Sequence, residues 1–215
     1  MKKLSKIVVL IFSALLIFCL SACASENTSD NNTKTTPETQ QSASTNENAD
    51  NTPASNSKIL VAYFSCTGNT ENAAQKIATA TGGNLYAITP AEPYTADDLR
   101  YNDDTTRATK EQHDTSIRPA LAGTVDNFQQ YDVIFVGYPI WWDQAPRVIN
   151  TFLESYDFSG KKVIPFCTSG GSTITNSANQ LKSTYSNMNW LDGRLIGGST
   201  SQDEIAAWID SLNIK

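Results

Sequence analysis

Residues 58–70 read KILVAYF followed by SCTGNT, and the next eleven positions place Ala73, Ala74, Ile77 and Ala80 at helical spacing. The run Lys58–Phe64 is apolar throughout rather than alternating, the pattern of a strand covered on both faces. Glu71–Thr81 has the stripe of an amphipathic helix. The hexamer Ser65–Thr70 therefore lies at a strand-to-helix junction. There the first-turn amides have no helical partners and the macrodipole favours negative charge. Small hydroxyl side chains add donors without filling the space. No Lys precedes the last Ser/Thr, so a triphosphate loop of the Walker type is not encoded, and the GxGxxG dinucleotide fingerprint is missing. A single terminal phosphate held by uncharged donors matches this loop. The competing reading is an N-cap in which Ser and Thr serve only as turn residues.

Working outward, Asn84–Ile88, Asp132–Val136 and Lys162–Phe166 are further short apolar runs. Between and after them, Pro146–Ser155 and Ser201–Leu212 repeat the helical stripe through Val148, Ile149, Phe152 and Leu153, and through Ile205, Trp208, Ile209 and Leu212. Alternation of buried strands with amphipathic helices predicts a three-layer α/β/α sandwich around a parallel sheet, joined by right-handed crossovers. The domain spans 58–215 and shows no internal repeat.

Two more stretches follow strands. Gly137-Tyr138-Pro139-Ile140-Trp141-Trp142 comes after the third, and Thr168-Ser169-Gly170-Gly171-Ser172 after the fourth. Ligands of open parallel sheets bind beyond the carboxyl ends of the strands, where strand order reverses. All three motifs should converge on that rim. The indole faces of Trp141 and Trp142 can flank a flat ligand, or one of them can fill core. Gly170 and Gly171 permit close backbone approach.

The hexamer resembles the S/T-x-T-G-x-T phosphate loop of the flavodoxin family, with Ser65, Thr67, Gly68 and Thr70 on the defining positions. The GYPIWW and TSGGS stretches resemble the two flavin-bordering loops of the same family, and the Tyr/Arg-rich acidic stretch 94–119 resembles its subfamily counterpart. The likeness spans essentially all of 58–215. It implies a doubly wound five-stranded sheet in the order 2-1-3-4-5 with FMN as cofactor. Ser65, Thr67, Gly68, Asn69 and Thr70 would hold the phosphate. Pro139, Ile140, Trp141 and Trp142 would flank the ring, and Ser169, Gly170 and Gly171 would meet its polar edge. It implies no side-chain acid, base or nucleophile and no metal ligand. The chain departs from the pattern at Asp143-Gln144, where Gly-Thr is expected, and at Thr173–Thr175, where a second glycine is usual. A carboxylate at 143 aimed at the ring would lower its potential.

The long connection from Pro90 to Gln130 is either a lid or partner surface over the flavin edge, or a solvated helix with loops. His113 within it reads as a surface or capping residue. Cys66 reads as a small loop filler, although a helix N-terminus can activate a thiol. Cys167 reads as an apolar residue ending a strand. The two are not expected to bridge, and one histidine with no CxxC pair gives too few ligands for a zinc cluster.

From Lys58 onward, 12 Lys+Arg face 17 Asp+Glu, a net charge of −5. Such a surface excludes a nucleic-acid groove and suits basic protein partners. Before it, Lys2, Lys3 and Lys6 precede an apolar run from Ile7 to Leu20, so residues 1–22 read as a signal peptide. Leu20-Ser21-Ala22-Cys23 resembles the lipobox of bacterial lipoproteins, which implies lipid, palmitate included, on Cys23. An ordinary cleaved signal and an uncleaved anchor are the alternatives. Residues 24–57 contain no Val, Ile, Leu, Met, Cys or aromatic residue and form a disordered polar tether. As a flexible coil it spans roughly 30 Å. The sequence thus describes an FMN-binding electron-transfer protein, lipid-anchored at the outer face of the cytoplasmic membrane. An FMN-dependent NAD(P)H:quinone-type oxidoreductase and a non-redox module binding a small phosphate compound are the other readings.

Overall fold

A computed structural model describes residues 58–214. The signal peptide expected over 1–22, the lipid-bearing Cys23 and the tether over 23–57 lie outside the described residues. Strand β1 (Ile59–Tyr63) lies between β2 (Asn84–Ala87) and β3 (Val133–Pro139), and β4 (Lys162–Thr168) lies beyond β3. The outer edge of β4 carries two short strands, β5 (Asn189–Trp190) and β6 (Arg194–Leu195). All pairings are parallel, so the order is the expected 2-1-3-4-5 with the fifth position shared by two pieces.

Alternate residues of each strand feed two separate cores. Ile59, Val61, Val133, Phe135, Ile164 and Phe166 pack under α1 (Asn69–Thr81) and α5 (Gln202–Ser211). Leu60, Ala62, Ile134, Val136, Val163 and Cys167 pack on the other face, under α3 (Arg147–Glu154) and α4 (Thr175–Thr184). The stretch 90–130 supplies a further short helix, α2 (Arg107–His113), whose Ala108 is buried in this second core. The base of that excursion is closed by an antiparallel bridge between Pro90 and Leu121. Helix α5 begins with a full capping box, Ser201 and Glu204 each bonding the other's backbone amide.

The broken fifth strand has a cause in β4. The carbonyls of Val163 and Cys167 accept from Leu191 and Ile196, so odd-numbered residues of β4 turn their backbone groups to the outer edge. Pro165 is the odd residue between them and has no N–H to donate there. The register slips by one residue at that point: Lys162 pairs with Asn189, but Phe166 pairs with Arg194. The extra residue lies in Leu191-Asp192-Gly193, and a Cβ on Gly193 would stand 2.3 Å from the Pro165 carbonyl oxygen. Only glycine lets the chain pass the proline this closely.

Gly193→Ala is therefore expected to destabilise the domain by about 1–3 kcal/mol, a fall in Tm of roughly 3–10 °C. Gly123→Ala, where a Cβ meets nothing within 4 Å, should stay within about 0.5 kcal/mol. Thermal melts of the two variants side by side check this, and equal Tm values would contradict the account of the strand break.

Candidate functional site

The carboxyl ends of β1, β3 and β4 open onto a cleft of about 730 Å³. Thr67 and Asn69 line it from the first loop, Pro139, Ile140 and Trp141 from the second, and Thr168, Ser169 and Gly170 from the third. The three sequence motifs thus meet at one rim, and the cleft continues past them along α1 to Lys76 and Thr79.

The first loop is shaped by Gly68, whose φ of 84° is left-handed. Its amide donates to Ser65 Oγ at 3.1 Å, so Ser65 draws the loop into a tight curl. Helix α1 then starts at Asn69 with no side-chain cap. The first helical bond is Asn72 N–H to the Gly68 carbonyl at 2.9 Å, which leaves the earlier amides of the turn for a ligand in the mouth of the loop. Thr70 is buried and shares a 2.8 Å hydroxyl contact with Thr168, tying this loop to the end of β4. Thr67 and Asn69 are exposed at the lip, with Asn69 Nδ2 donating to Thr67 Oγ1 at 3.3 Å. Cys66 is exposed there too, but desolvation by the surrounding protein pushes its thiol up to about 11 against the pull of Arg107. Cys66 and Cys167 are both free.

The second loop is a tight hairpin. Trp141 and Gln144 exchange backbone hydrogen bonds at 3.0 and 2.9 Å, and the two residues between them, Trp142 and Asp143, have φ of 45° and 60°. These are the angles of a two-residue primed turn, which glycine or asparagine normally supplies. An indole there is strained. Trp141 is 3% exposed: one side packs edge-on against Phe64 and Tyr94, and another lines the cleft. Trp142 is half-buried at the turn, edge-on to Tyr101 with ring centroids 5.1 Å apart. The Asp143 carboxylate accepts a hydrogen bond from Asn176 Nδ2 on α4.

In the third loop, Ser169 Oγ accepts from the amides of Gly171 and Ser172 at 3.2 and 2.9 Å. The Gly171 amide is thereby turned inward, and Gly170 is the glycine that lines the cleft.

Sequence reasoning missed the supports of the hairpin. Gln112 on α2 is buried and donates to the carbonyls of Trp141 and Ala145 at 2.9 and 3.4 Å. Arg147 at the start of α3 is also buried. Its guanidinium donates to the Glu111 and Gln112 carbonyls at the C-terminus of α2 and to Gln144 Oε1. A cation at that helix end is favourable. Tyr94 and Arg107 both bond the buried Glu111 carboxylate, and burial together with Glu111 holds the Tyr94 hydroxyl protonated far above its ordinary range. The stretch 90–130 is thus largely a buttress. It also brings Tyr101, 50% exposed, to the cleft wall beside Trp141. His113 ends α2 at the surface with its ring 6.2 Å from Trp142. Nothing periodic marks Tyr101, Gln112 or Arg147 in the sequence, because their roles depend on tertiary contacts.

A family model for flavodoxin matches residues 58–212. The chain belongs to the flavodoxin family. This flavodoxin is 53% identical to a candidate flavoprotein from Bacteroides eggerthii DSM 20697, with a TM-score of 0.72 over 74% of this chain and 99% of that one. A candidate flavoprotein from Bacteroides uniformis ATCC 8492 is 48% identical, with a TM-score of 0.70 over 72% and 98% of the two chains. A flavoprotein from Lactobacillus acidophilus NCFM, solved in complex with FMN, is 20% identical and shares the fold, with a TM-score of 0.59 over 73% and 98%. A comparison with curated proteins gives no match. Among the described residues no cluster of His, Cys, Asp or Glu could hold a metal ion, and no helix is long and apolar enough to cross a membrane.

Gln112→Ala in this flavodoxin should cost about 1–3 kcal/mol, because the carbonyl of buried Ala145 loses the Gln112 amide and that of Trp141 keeps only the Gln144 N–H. The near-ultraviolet dichroism of the tryptophans should change with it. Lys110→Ala, on the exposed side of the same helix, should leave both within error. An unchanged tryptophan signal in Gln112→Ala would remove the buttress role.

Proposed function

We propose that this flavodoxin binds FMN in the cleft and serves as an electron carrier, held at the outer face of the cytoplasmic membrane by lipid on Cys23. The observation that carries the cofactor assignment is the uncapped start of α1, set in a loop whose own donors are all uncharged. Backbone amides and hydroxyls suit one terminal phosphate, which needs no lysine to follow charge spread along a chain. Lys76, the cation in the cleft wall, already donates to the Thr200 carbonyl at 2.6 Å.

In this reading the first-turn amides of α1, with Ser65, Thr67, Gly68, Asn69 and Thr70, hold the phosphate. Pro139, Ile140, Trp141 and Trp142 border the ring, with Tyr101 added to the sequence-based set by its place in the cleft wall. Ser169, Gly170 and Gly171 form the loop at the polar edge. Bound FMN supplies the redox chemistry, and the residues supply binding, orientation and electrostatics. Asp97, Asp98, Asp103 and Asp104 flank Tyr101 in sequence, so the approach to this side is acidic and favours a basic redox partner over a free anionic donor.

Purified protein mixed with FMN should turn yellow and give saturable heat at micromolar concentration. Thr67→Asp, which places a carboxylate at the phosphate, should weaken FMN by about a hundredfold and leave riboflavin, which has no phosphate, nearly unaffected. Equal losses for both ligands would mean that the phosphate is not bound at this loop. Stopped-flow mixing with NADH or NADPH and a quinone tests the carrier role: rapid turnover would replace it by the oxidoreductase reading. Cys23→Ala should move the chain from the membrane fraction to the soluble one, and retention at the membrane would refute the lipid anchor.

A further inference from the structure

A second cavity, of about 450 Å³, lies between α3, α4 and the segment that follows α2. It shares no lining residue with the flavin cleft and reaches the hairpin from behind, at Gln144 and Ala145. Among the described residues no Asp or Glu lines it, although the domain carries more acids than bases, and two arginines do: Arg147 and Arg118.

Arg147 is 6% exposed and has no carboxylate within ion-pair distance among the described residues. Its Nε and Nη2 are used by backbone carbonyls and Gln144, while Nη1 makes no hydrogen bond among those residues. A buried guanidinium whose direct hydrogen-bond partners are all neutral attracts an anion. Arg118 contributes a second guanidinium at the cavity wall. Its Nε pairs with Glu154 at 2.8 Å and its Nη1 donates to the Thr115 and Ile117 carbonyls. Glu154 offsets Arg118, whereas Arg147 has no direct carboxylate partner and only the longer-range pulls of Asp114 and Glu111. Desolvation and the neighbouring Arg118 both lower the pKa of Arg147, against smaller opposing pulls from Tyr185, Asp114 and Glu111.

The same wall contains Asn150, 6% exposed, whose Nδ2 donates to Tyr185 Oη at 3.0 Å. Tyr185 in turn donates to Glu154 at 2.7 Å, which fixes the amide with its oxygen on the other side. Among the described residues Asn150 Oδ1 has no donor. A buried acceptor left in this way calls for an N–H or O–H from an occupant.

We infer that this cavity binds a small oxyanion that keeps a hydroxyl hydrogen, such as hydrogen phosphate or an α-hydroxycarboxylate. The negative oxygens face Arg147 and Arg118, and the hydroxyl donates to Asn150 Oδ1. The volume leaves room for a short organic body behind the anionic group. Because the cavity is distinct from the flavin cleft, the inference does not rest on FMN binding.

Calorimetry on the full chain, at constant ionic strength and with and without excess FMN, tests it with inorganic phosphate, sulfate, lactate and propionate. Heat that FMN abolishes belongs to the first loop; heat that persists with FMN and falls in Arg118→Ala belongs to the second cavity, whether or not FMN itself binds. Phosphate should bind in the presence of FMN about tenfold more tightly than sulfate, and lactate about tenfold more tightly than propionate, since only the first of each pair can donate to Asn150. If only one of phosphate and lactate binds and beats its partner, the source is settled as phosphoryl or carboxyl. Arg118→Ala, at the exposed side, should weaken the anion about tenfold or more while FMN binding is unchanged. Asn150→Asp, if it folds, should abolish anion binding. No FMN-resistant heat in the millimolar range, equal affinity within both pairs, or an unaffected Arg118→Ala would each overturn the assignment.

Discussion

Every feature of the rim depends on the parallel ladder formed by β1, β3 and β4. In such a ladder all carboxyl ends leave on one edge, and the buried faces of the strands leave no freedom of register. Ile59 pairs with Val133 and Val133 with Lys162, so the three loops depart at matched heights. The hydroxyl contact between Thr70 and Thr168 and the bond from Ile140 N–H to the Thr168 carbonyl continue that alignment past the strands themselves. The cleft is an extension of the sheet's order into its loops.

Strain is the other side of the same design. The turn at Trp142-Asp143 uses left-handed angles that an indole disfavours, and such conformations persist only where neighbours over-determine them. Here the neighbours are Gln112 and Arg147, which grip the hairpin from below, and Asn176, which holds the Asp143 carboxylate from α4. Asp143, at a corner where the family resemblance implies glycine, is thus held by a contact that locks its side chain in place.

The sequence was informative where burial is two-sided or a loop carries its own chemistry. Lys58–Phe64, Asp132–Val136 and Lys162–Phe166 are legible as strands because both of their faces are apolar; the last two run on to Pro139 and Thr168 because the ladder carries the first loop residues with it. The first loop is legible because Gly68 and its hydroxyl neighbours stand between a strand and a helix. The fifth strand escapes notice because Pro165 cuts it into two pairs of residues, too short for any periodicity. Helix α4 escapes because only Ser177, Ala178 and Leu181 of its ten residues are buried. Gln112, Arg147 and Tyr101 are ordinary polar or aromatic positions in a long connection, and only the docking of α2 gives them work.

The interruption opposite Pro165 also governs how the molecule meets other chains. A sheet flank is a row of unsatisfied amides and carbonyls ready to recruit foreign backbone. On this side the row consists of two separated two-residue pieces, kinked by an extra residue, and the opposite flank is a strand of only four residues. Neither offers the length that β-sheet polymerisation requires, so a defect in the ladder doubles as protection against self-assembly.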